Sequence, residues 1–257
     1  MRIMLKLAVL GSPISHSLSP EIHSEAYRIL GIDADYGRFQ VDEASLDSFV
    51  KTHSDWSGFS LTMPLKEKGL ELCSEVSKAV TVIGALNTIV AKSGNWHGYN
   101  TDVMGFDFLL SNKDLSSVAI LGAGGTAKAA LYALSVKGVG AKVYRRNSNR
   151  DDALLRINSK AEILPFERAE SAFDSSLLIN ALPKSAFETS LRVHRAKGDV
   201  LDSIYHPWPT PLSASADSVR YFSGKDLLVA QAIYQIELFT GLQLDIGELF
   251  PKLRAVI

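Results

Sequence analysis

Short apolar runs recur along the chain, separated by polar segments with helical spacing, and this alternation predicts an α/β fold. Leu5–Leu10 reads as a first buried strand, ended by Gly11-Ser12-Pro13. A helix is expected from about Glu21 to Leu30, with Ser19 as its N-cap and Pro20 at its first position. Tyr36–Val41 predicts a strand and Ala44–Lys51 a helix. The run from Gly58 predicts a strand that stops at Pro64, because proline suits the end of a strand better than its centre. Glu67–Ser77 predicts a helix, Ala85–Val90 a strand, Ser93-Gly94 a turn, and a further helix starts near Val103. Val118–Leu121 is a continuous apolar run of the kind a doubly covered parallel strand gives. Later strands are expected at Ala141–Tyr144, Ala161–Leu164, Ser176–Asn180 and Asp199–Ile204. The stretch from Leu227 has helical periodicity, with Gly241 as its stop.

The strand at Val118 runs into Gly122-Ala123-Gly124-Gly125-Thr126-Ala127, followed by an alanine-rich helical stretch without proline. Glycines let the backbone turn sharply and approach a ligand, and the following helix points its positive end at the turn. That arrangement suits a pyrophosphate; the plainer alternative is a tight turn that binds nothing. A protein selective for NAD carries Asp or Glu about twenty residues further on, against the ribose 2′-hydroxyl. Here that place is taken by Arg145-Arg146-Asn147-Ser148-Asn149-Arg150. Guanidinium groups pair with a 2′-phosphate that a carboxylate would repel, which favours NADP over NAD. An exposed basic turn is the alternative reading. The segments Asn180–Pro183 and Tyr205–Leu212 are placed at strand exits, on the expected cofactor side.

Polar residues cluster at other strand exits. Ser15, His16, Ser17 and Ser19 crowd the exit of the first strand, where hydroxyls that both donate and accept suit a polyhydroxylated ligand. Lys66 has the wrong charge for a helix start, a hint of another purpose against the ordinary reading of a solvated lysine. Asn87 lies in a strand and looks buried, while Asn100 and Asp102 could cap the helix near Val103. Gln231 falls among apolar neighbours, where an unpaired amide costs ~1–3 kcal/mol. It needs a partner, and a ligand hydroxyl is one candidate.

The 257 residues suffice for one large domain or two ordinary ones. Apolar residues make up 46% and charged ones 21%, the balance of a globular chain rather than a disordered one. Lysine plus arginine (27) nearly cancel aspartate plus glutamate (28), so no positive excess points to nucleic acid or a membrane surface. A small-molecule ligand is the better expectation. Cys73 stands alone, without metal-ligand spacing, and reads as a small buried residue in a helix; no metal is expected. The apolar run at the start ends by Gly11, too short for a signal-peptide core or a membrane span, which leaves the cytoplasm as the expected location.

Several segments, in order, resemble the motifs of the shikimate dehydrogenase family. They are His16-Ser17-Leu18-Ser19-Pro20, Thr62-Met63-Pro64-Leu65-Lys66, Asn87-Thr88, Asn100-Thr101-Asp102, Gly122-Ala123-Gly124-Gly125 and Val229-Ala230-Gln231-Ala232. The resemblance implies an N-terminal α/β substrate domain and a Rossmann-type, doubly wound cofactor domain separated by a cleft. Their expected extents are 1–102 plus 226–257 for substrate and 103–225 for NADP. It implies that Ser17 and Ser19 hold the substrate carboxylate, that Thr62, Asn87, Asp102 and Gln231 bind ring hydroxyls, and that Tyr205 closes the site. Lys66 matches the catalytic lysine, paired with Asp102. Arg146 and Arg150, with Arg145 beside them, match the 2′-phosphate site, and Gly122 to Thr126, Asn180 and Gly224 the rest of the cofactor site. The chain departs from the family pattern at Ser60 (usually asparagine), Val103 (usually glycine) and Asp226 (usually glycine).

The implied activity is reversible, NADP-dependent reduction of 3-dehydroshikimate to shikimate, in aromatic amino-acid biosynthesis, by a monomer or homodimer. A quinate/shikimate dehydrogenase with relaxed cofactor use is the nearest alternative. A methyltransferase and a non-catalytic nucleotide-sensing module are more distant ones; the first would want an acidic residue where this chain has arginine.

Overall fold

A computed structural model of the chain describes residues 4–183, 191–206, 209–217 and 220–257. Pro207 and Trp208 of the Tyr205–Leu212 loop, and Met1–Ile3 of the N-terminus, lie outside the described residues. The chain divides into two compact units, Met1–Met104 with Leu228–Ile257, and Gly105–Leu227. Both boundaries fall inside helices, Thr101–Leu110 and Gly224–Thr240. No helix among the described residues is long and apolar enough to cross a membrane.

The first unit holds a six-stranded sheet of β1 (Leu5–Gly11), β2 (Ala34–Gln40), β3 (Gly58–Leu61), β4 (Glu75–Val76), β5 (Thr88–Lys92) and β6 (Asn95–Tyr99). Their order is β2-β1-β3-β5-β6-β4. Strand β1 lies parallel to β2 and β3, whereas β5 runs antiparallel to both β3 and β6. The period of two along β1 sends Leu7 and Val9 into one cluster, with Ile22, Tyr27, Ile233 and Ile236, and Ala8 and Leu10 into another, with Val50, Phe59, Leu61 and Leu65. Cover on both faces is why the run from Leu7 to Leu10 reads as unbroken apolar sequence.

Three local expectations are corrected. The helix Ser19–Leu30 takes Leu18, not Ser19, as its N-cap residue and has no side-chain cap; Ser19 is its first residue. The expected helix over Glu67–Ser77 is broken into Leu65–Lys68, a 3-10 turn Gly69–Leu72, strand β4 and a new helix Lys78–Ile83 capped by Ser77. Backbone pairing of Ser74 and Ser77 to Trp96 and Gly98 draws that stretch onto β6, overriding its helical propensity. Cys73 therefore follows a 3-10 turn rather than lying in a helix, and burial pushes its thiol up to about 11, which makes it a poor nucleophile.

The second unit is wholly parallel. Its strands are β7 (Val118–Leu121), β8 (Lys142–Arg145), β9 (Glu162–Pro165), β10 (Leu177–Asn180), β11 (Asp199–Asp202) and β12 (Tyr221–Phe222), in the order β12-β11-β10-β7-β8-β9. The winding reverses between β7 and β10, and open sheets of this doubly wound type bind ligands in the crevice at that reversal. All four residues of β7 are buried, and Ala127, Ala129, Ala130 and Ala133 are buried in the helix Gly125–Val136 that follows.

His23 is a buried titratable group in the first unit. Its ring stacks on Tyr36 with centroids 3.9 Å apart and bonds Tyr27 and Gln235, each at 3.2 Å. Burial pushes its pKa down to about 3, outweighing the hydrogen bond to Gln235, which acts the other way. The unfolded chain takes up the proton near pH 6.5, so this residue withdraws stability as pH falls from about 6.5 towards 3. Denaturant titrations at pH 7 and pH 5 should show His23→Phe losing about 2 kcal/mol less than the wild type over that interval. Equal losses in the two proteins would contradict the assignment.

Candidate active site

The direction of the strands assembles the polar residues of the first unit. Strands β1 and β3 run side by side and parallel, so the segments carrying Ser17 and Ser19, and Thr62 and Lys66, leave the sheet at one end. Strand β5 runs the other way, with Thr88 opposite Ser60, so Asn87 enters at that same end. Strand β6 turns back again, with Tyr99 opposite Thr88, and delivers Asn100, Thr101 and Asp102 there. A Cβ at Gly11 would come within 2.4 Å of Thr62 Cγ2 and 2.9 Å of the Met63 carbonyl, so only glycine permits this approach of the two exits. The Ser12 N–H donates to that carbonyl at 3.0 Å and ties them together.

Lys66 Nζ donates to Asp102 Oδ2 at 2.5 Å, with the side chains 23% and 9% exposed. Asp102 Oδ1 accepts from Asn87 Nδ2 at 3.0 Å. Asp102 lies in the first turn of the helix Thr101–Leu110, where the aligned peptide dipoles favour negative charge. It is thus inside the helix rather than its cap. Asn100 does not spend its amide on that helix: Nδ2 donates to the Ala85 carbonyl at 2.9 Å, and Oδ1 is buried without a partner among the described residues.

Asn87 is the hub of this group. Its Oδ1 accepts from the Thr101 backbone N–H at 2.8 Å and from Thr88 Oγ1 at 2.9 Å, and its Nδ2 faces Asp102, Thr101 Oγ1 and Gln231 Oε1. Gln231 finds its partners in the protein: Oε1 accepts from Asn87 and Thr101, and Nε2 donates to the Leu228 carbonyl at 2.8 Å. Ser17 and Ser19 are buried, with the Ser19 N–H directed at Ser17 Oγ at 3.4 Å, and Thr62 is half-buried. Thr88, Thr101 and Gln235 also belong to this polar group; the first two stand in the quoted motifs without an assigned role, and Gln235 was not singled out from the sequence. Gln235 carried a readable signal, since it repeats the anomaly of Gln231 four residues later on the same apolar helix.

In the second unit the glycine turn lies beside the winding reversal. Gly122 has φ +108°, a conformation that L side chains rarely adopt, and a Cβ there would meet the Ala181 carbonyl at 3.1 Å. Among the described residues, only Arg150 Nη1, 4.0 Å away, would stand near a Cβ at Gly124. Gly124 precedes the helix Gly125–Val136, so the first N–H groups of that helix, from Gly125, Thr126 and Ala127, face the turn. This backbone fits a pyrophosphate. Arg150 Nη1 donates to the Ala123 carbonyl at 2.9 Å, which sets its guanidinium against the turn. Arg145 is bound through both sides of its fork by Asp151, at 2.6 and 2.5 Å. Arg146 is exposed and has no ion pair among the described residues.

Asn180, Gly224 and Tyr205 sit at other strand ends of this unit. Asn180 is buried, its Nδ2 donating to Asp202 Oδ1 at 2.9 Å and its Oδ1 accepting from the Leu182 N–H. Asp202 is a buried carboxylate that the sequence did not reveal; it also accepts from the Ile204 N–H, Thr210 Oγ1 and Tyr221 OH. Burial, then the Asp202 charge, holds the Tyr221 phenol well above its ordinary pKa. A Cβ at Gly224 would strike the Ser203 carbonyl at 2.3 Å, so this glycine serves close backbone packing. Tyr205 is half-buried on the segment after β11. The Asp226 carboxylate turns back on its own helix, accepting from the Ser223 N–H at 2.7 Å and Ser223 Oγ at 2.9 Å in the manner of a capping box.

Residues 9–89 match the family model of the shikimate dehydrogenase substrate binding domain. The chain is 30% identical over 260 residues to the shikimate dehydrogenase (NADP(+)) of Helicobacter pylori (strain ATCC 700392 / 26695), covering 96% of this chain and 97% of that protein. It is 33% identical over 242 residues to the enzyme of the same name from Desulfitobacterium hafniense (strain Y51), covering 88% and 89%. Among solved structures, shikimate dehydrogenase from Mycobacterium tuberculosis superposes with a TM-score of 0.84 at 34% identity, over 98% of this chain and 100% of that one. A complex of the Thermus thermophilus shikimate 5-dehydrogenase with NADP(H) and shikimate superposes with a TM-score of 0.81 at 30% identity, over 99% and 100%. Likeness of this extent, on a chain whose polar residues gather as described, makes it a member of the shikimate dehydrogenase family.

Proposed function

We propose that the chain catalyses the reversible, NADP-linked reduction of 3-dehydroshikimate to shikimate, with Lys66 and Asp102 as its acid–base pair. The observation that carries this reading is the 2.5 Å contact between Lys66 and Asp102 at the sheet end where the candidate substrate residues gather. Full-length similarity to enzymes named for that reaction supports it. NADPH, when bound, supplies a hydride to the ring carbonyl carbon. Negative charge then grows on the carbonyl oxygen, and the Lys66 ammonium stabilises it and gives up a proton to it. Asp102 holds the lysine in place, while the Asn87 amide and the start of the helix Thr101–Leu110 hold the carboxylate. In the oxidative direction Lys66 accepts the hydroxyl proton.

Ser17 and Ser19 are the proposed donors to the ring carboxylate, and Thr62, Asn87, Asp102 and Gln231 the groups that face ring hydroxyls. Tyr205 is the proposed closing residue. The turn from Gly122 to Thr126 would hold the pyrophosphate, with Asn180 and Gly224 shaping the neighbouring strand ends. Arg146, free of an acidic partner among the described residues, and Arg150, anchored beside the turn, are the proposed 2′-phosphate ligands. Arg145 would contribute through its contact with Asp151, which braces the start of the basic turn.

Turnover measured on shikimate and quinate, each with NADP and NAD, tests the reading; shikimate with NADP should give the highest kcat/KM. Activity confined to quinate, or to NAD, would overturn it. Lys66→Ala should lower kcat by about 10²–10⁴-fold. Arg146→Asp should weaken NADP binding by roughly tenfold to a hundredfold while leaving NAD binding within about twofold of the wild type, as loss of a charge-assisted contact requires.

A further inference from the structure

The hydrogen bonds around Asn87 continue away from the ligand-facing residues into the core of the first unit, and their donors and acceptors run in one direction. Gln235 is the junction. Its Nε2 lies 3.1 Å from the backbone carbonyl of Asn87, which can only accept, so this atom is a donor; its second hydrogen goes to Thr88 Oγ1 at 2.9 Å. Thr88 Oγ1, having accepted that bond, turns its own single hydrogen to Asn87 Oδ1 at 2.9 Å. Asn87 must then present Nδ2 to Asp102, as observed at 3.0 Å.

On the other side, Gln235 Oε1 accepts from Ser60 Oγ at 3.0 Å and from His23 Nε2 at 3.2 Å. Ser60 Oγ accepts in turn from Tyr36 OH at 2.7 Å, and His23 Nδ1 from Tyr27 OH at 3.2 Å. His23 keeps one proton, on Nε2, at any pH well above about 3, so that end of the chain of bonds holds its polarity. Ser60, Thr88, His23 and Gln235 are all buried. A reversal at any one of them would leave two acceptors or two donors facing each other without water to separate them.

We propose that Gln235 and Thr88 are positioning residues for the acid–base pair: they fix the orientation of the Asn87 amide, so that its N–H and not its carbonyl meets Asp102. This deepens, and rests on, the reading of Lys66 and Asp102 as the acid–base pair. The Thr101 backbone N–H, also on Asn87 Oδ1, is a second anchor, so loss of the relay weakens the orientation without abolishing it.

Thr88→Val, Thr88→Ser and Gln235→Met, made in the full chain, test the proposal. Thr88→Val replaces the hydroxyl by a methyl of similar volume, and Thr88→Ser restores the hydroxyl. Thr88→Val and Gln235→Met should lower kcat for shikimate oxidation about five- to tenfold, the scale of one buried hydrogen bond. Thr88→Ser should stay within about twofold of the wild type. Wild-type kcat in a folded Thr88→Val protein, or equally low kcat in Thr88→Ser and Thr88→Val, would overturn the proposal. If the wild type itself fails to turn over shikimate, the functional reading has failed and hydrogen exchange at the Asn87 side-chain amide, followed by nitrogen-15 NMR, decides on the relay. Faster exchange in Thr88→Val than in the wild type and Thr88→Ser supports it, and equal rates in all three overturn it.

Discussion

A carboxylate withdrawn from water must be matched by donors, and the arrangement of the first unit follows from meeting that demand at Asp102. One oxygen takes the Lys66 ammonium and the other the Asn87 amide, while the helix start beneath adds its dipole. Three separate strand exits must converge to supply these groups. That convergence requires the antiparallel run of β5 in an otherwise largely parallel environment, since a parallel β5 would deliver Asn87 to the opposite edge. The same demand explains the glycine at the end of β1, where any side chain would push the Thr62 segment away.

The second unit meets the same problem with a different solution. Its buried carboxylate, Asp202, has no cation among the described residues; neutral donors from Asn180, Ile204, Thr210 and Tyr221 converge on it. Two of its donors, Asn180 and Tyr221, lie on strands in the same sheet, and the other two lie on the segment that follows β11. The bonds therefore fasten strand exits to one another at the end of the sheet where the glycine turn also lies. Preorganised edges of this kind suit a cofactor site, because the backbone groups that meet a ligand are already held.

Much of this was legible in the chain itself. The strands β7 and β10, buried along their whole length, announced themselves as apolar runs, because cover on both faces removes the polar alternation. The glycine turn was legible because its chemistry is local: strand, turn and helix are consecutive. What escaped was non-local. The stretch from Glu67 to Ser77 has helical spacing, yet β6 claims it through backbone pairs formed with residues more than twenty positions away. Cys73 was misplaced for the same reason. Gln231 was correctly marked as needing a partner, but the partners, Asn87 and Thr101, come from strand ends more than a hundred residues earlier. Asp226 departs from the family pattern in sequence, and its geometry supplies a local reason: the carboxylate caps its own helix through Ser223.

Ser60 has a consequence for how this protein can change over time. Its hydroxyl fills the gap between the Tyr36 phenol and the Gln235 amide, in a place sealed from solvent on the far side of Thr88. A longer side chain at position 60 would press on both partners, since the hydroxyl already stands 2.7 Å from the Tyr36 oxygen and 3.0 Å from Gln235 Oε1. Positions 36, 60 and 235, far apart in the sequence, therefore form one packed unit, and a change of size at one of them calls for a matching change at its neighbours.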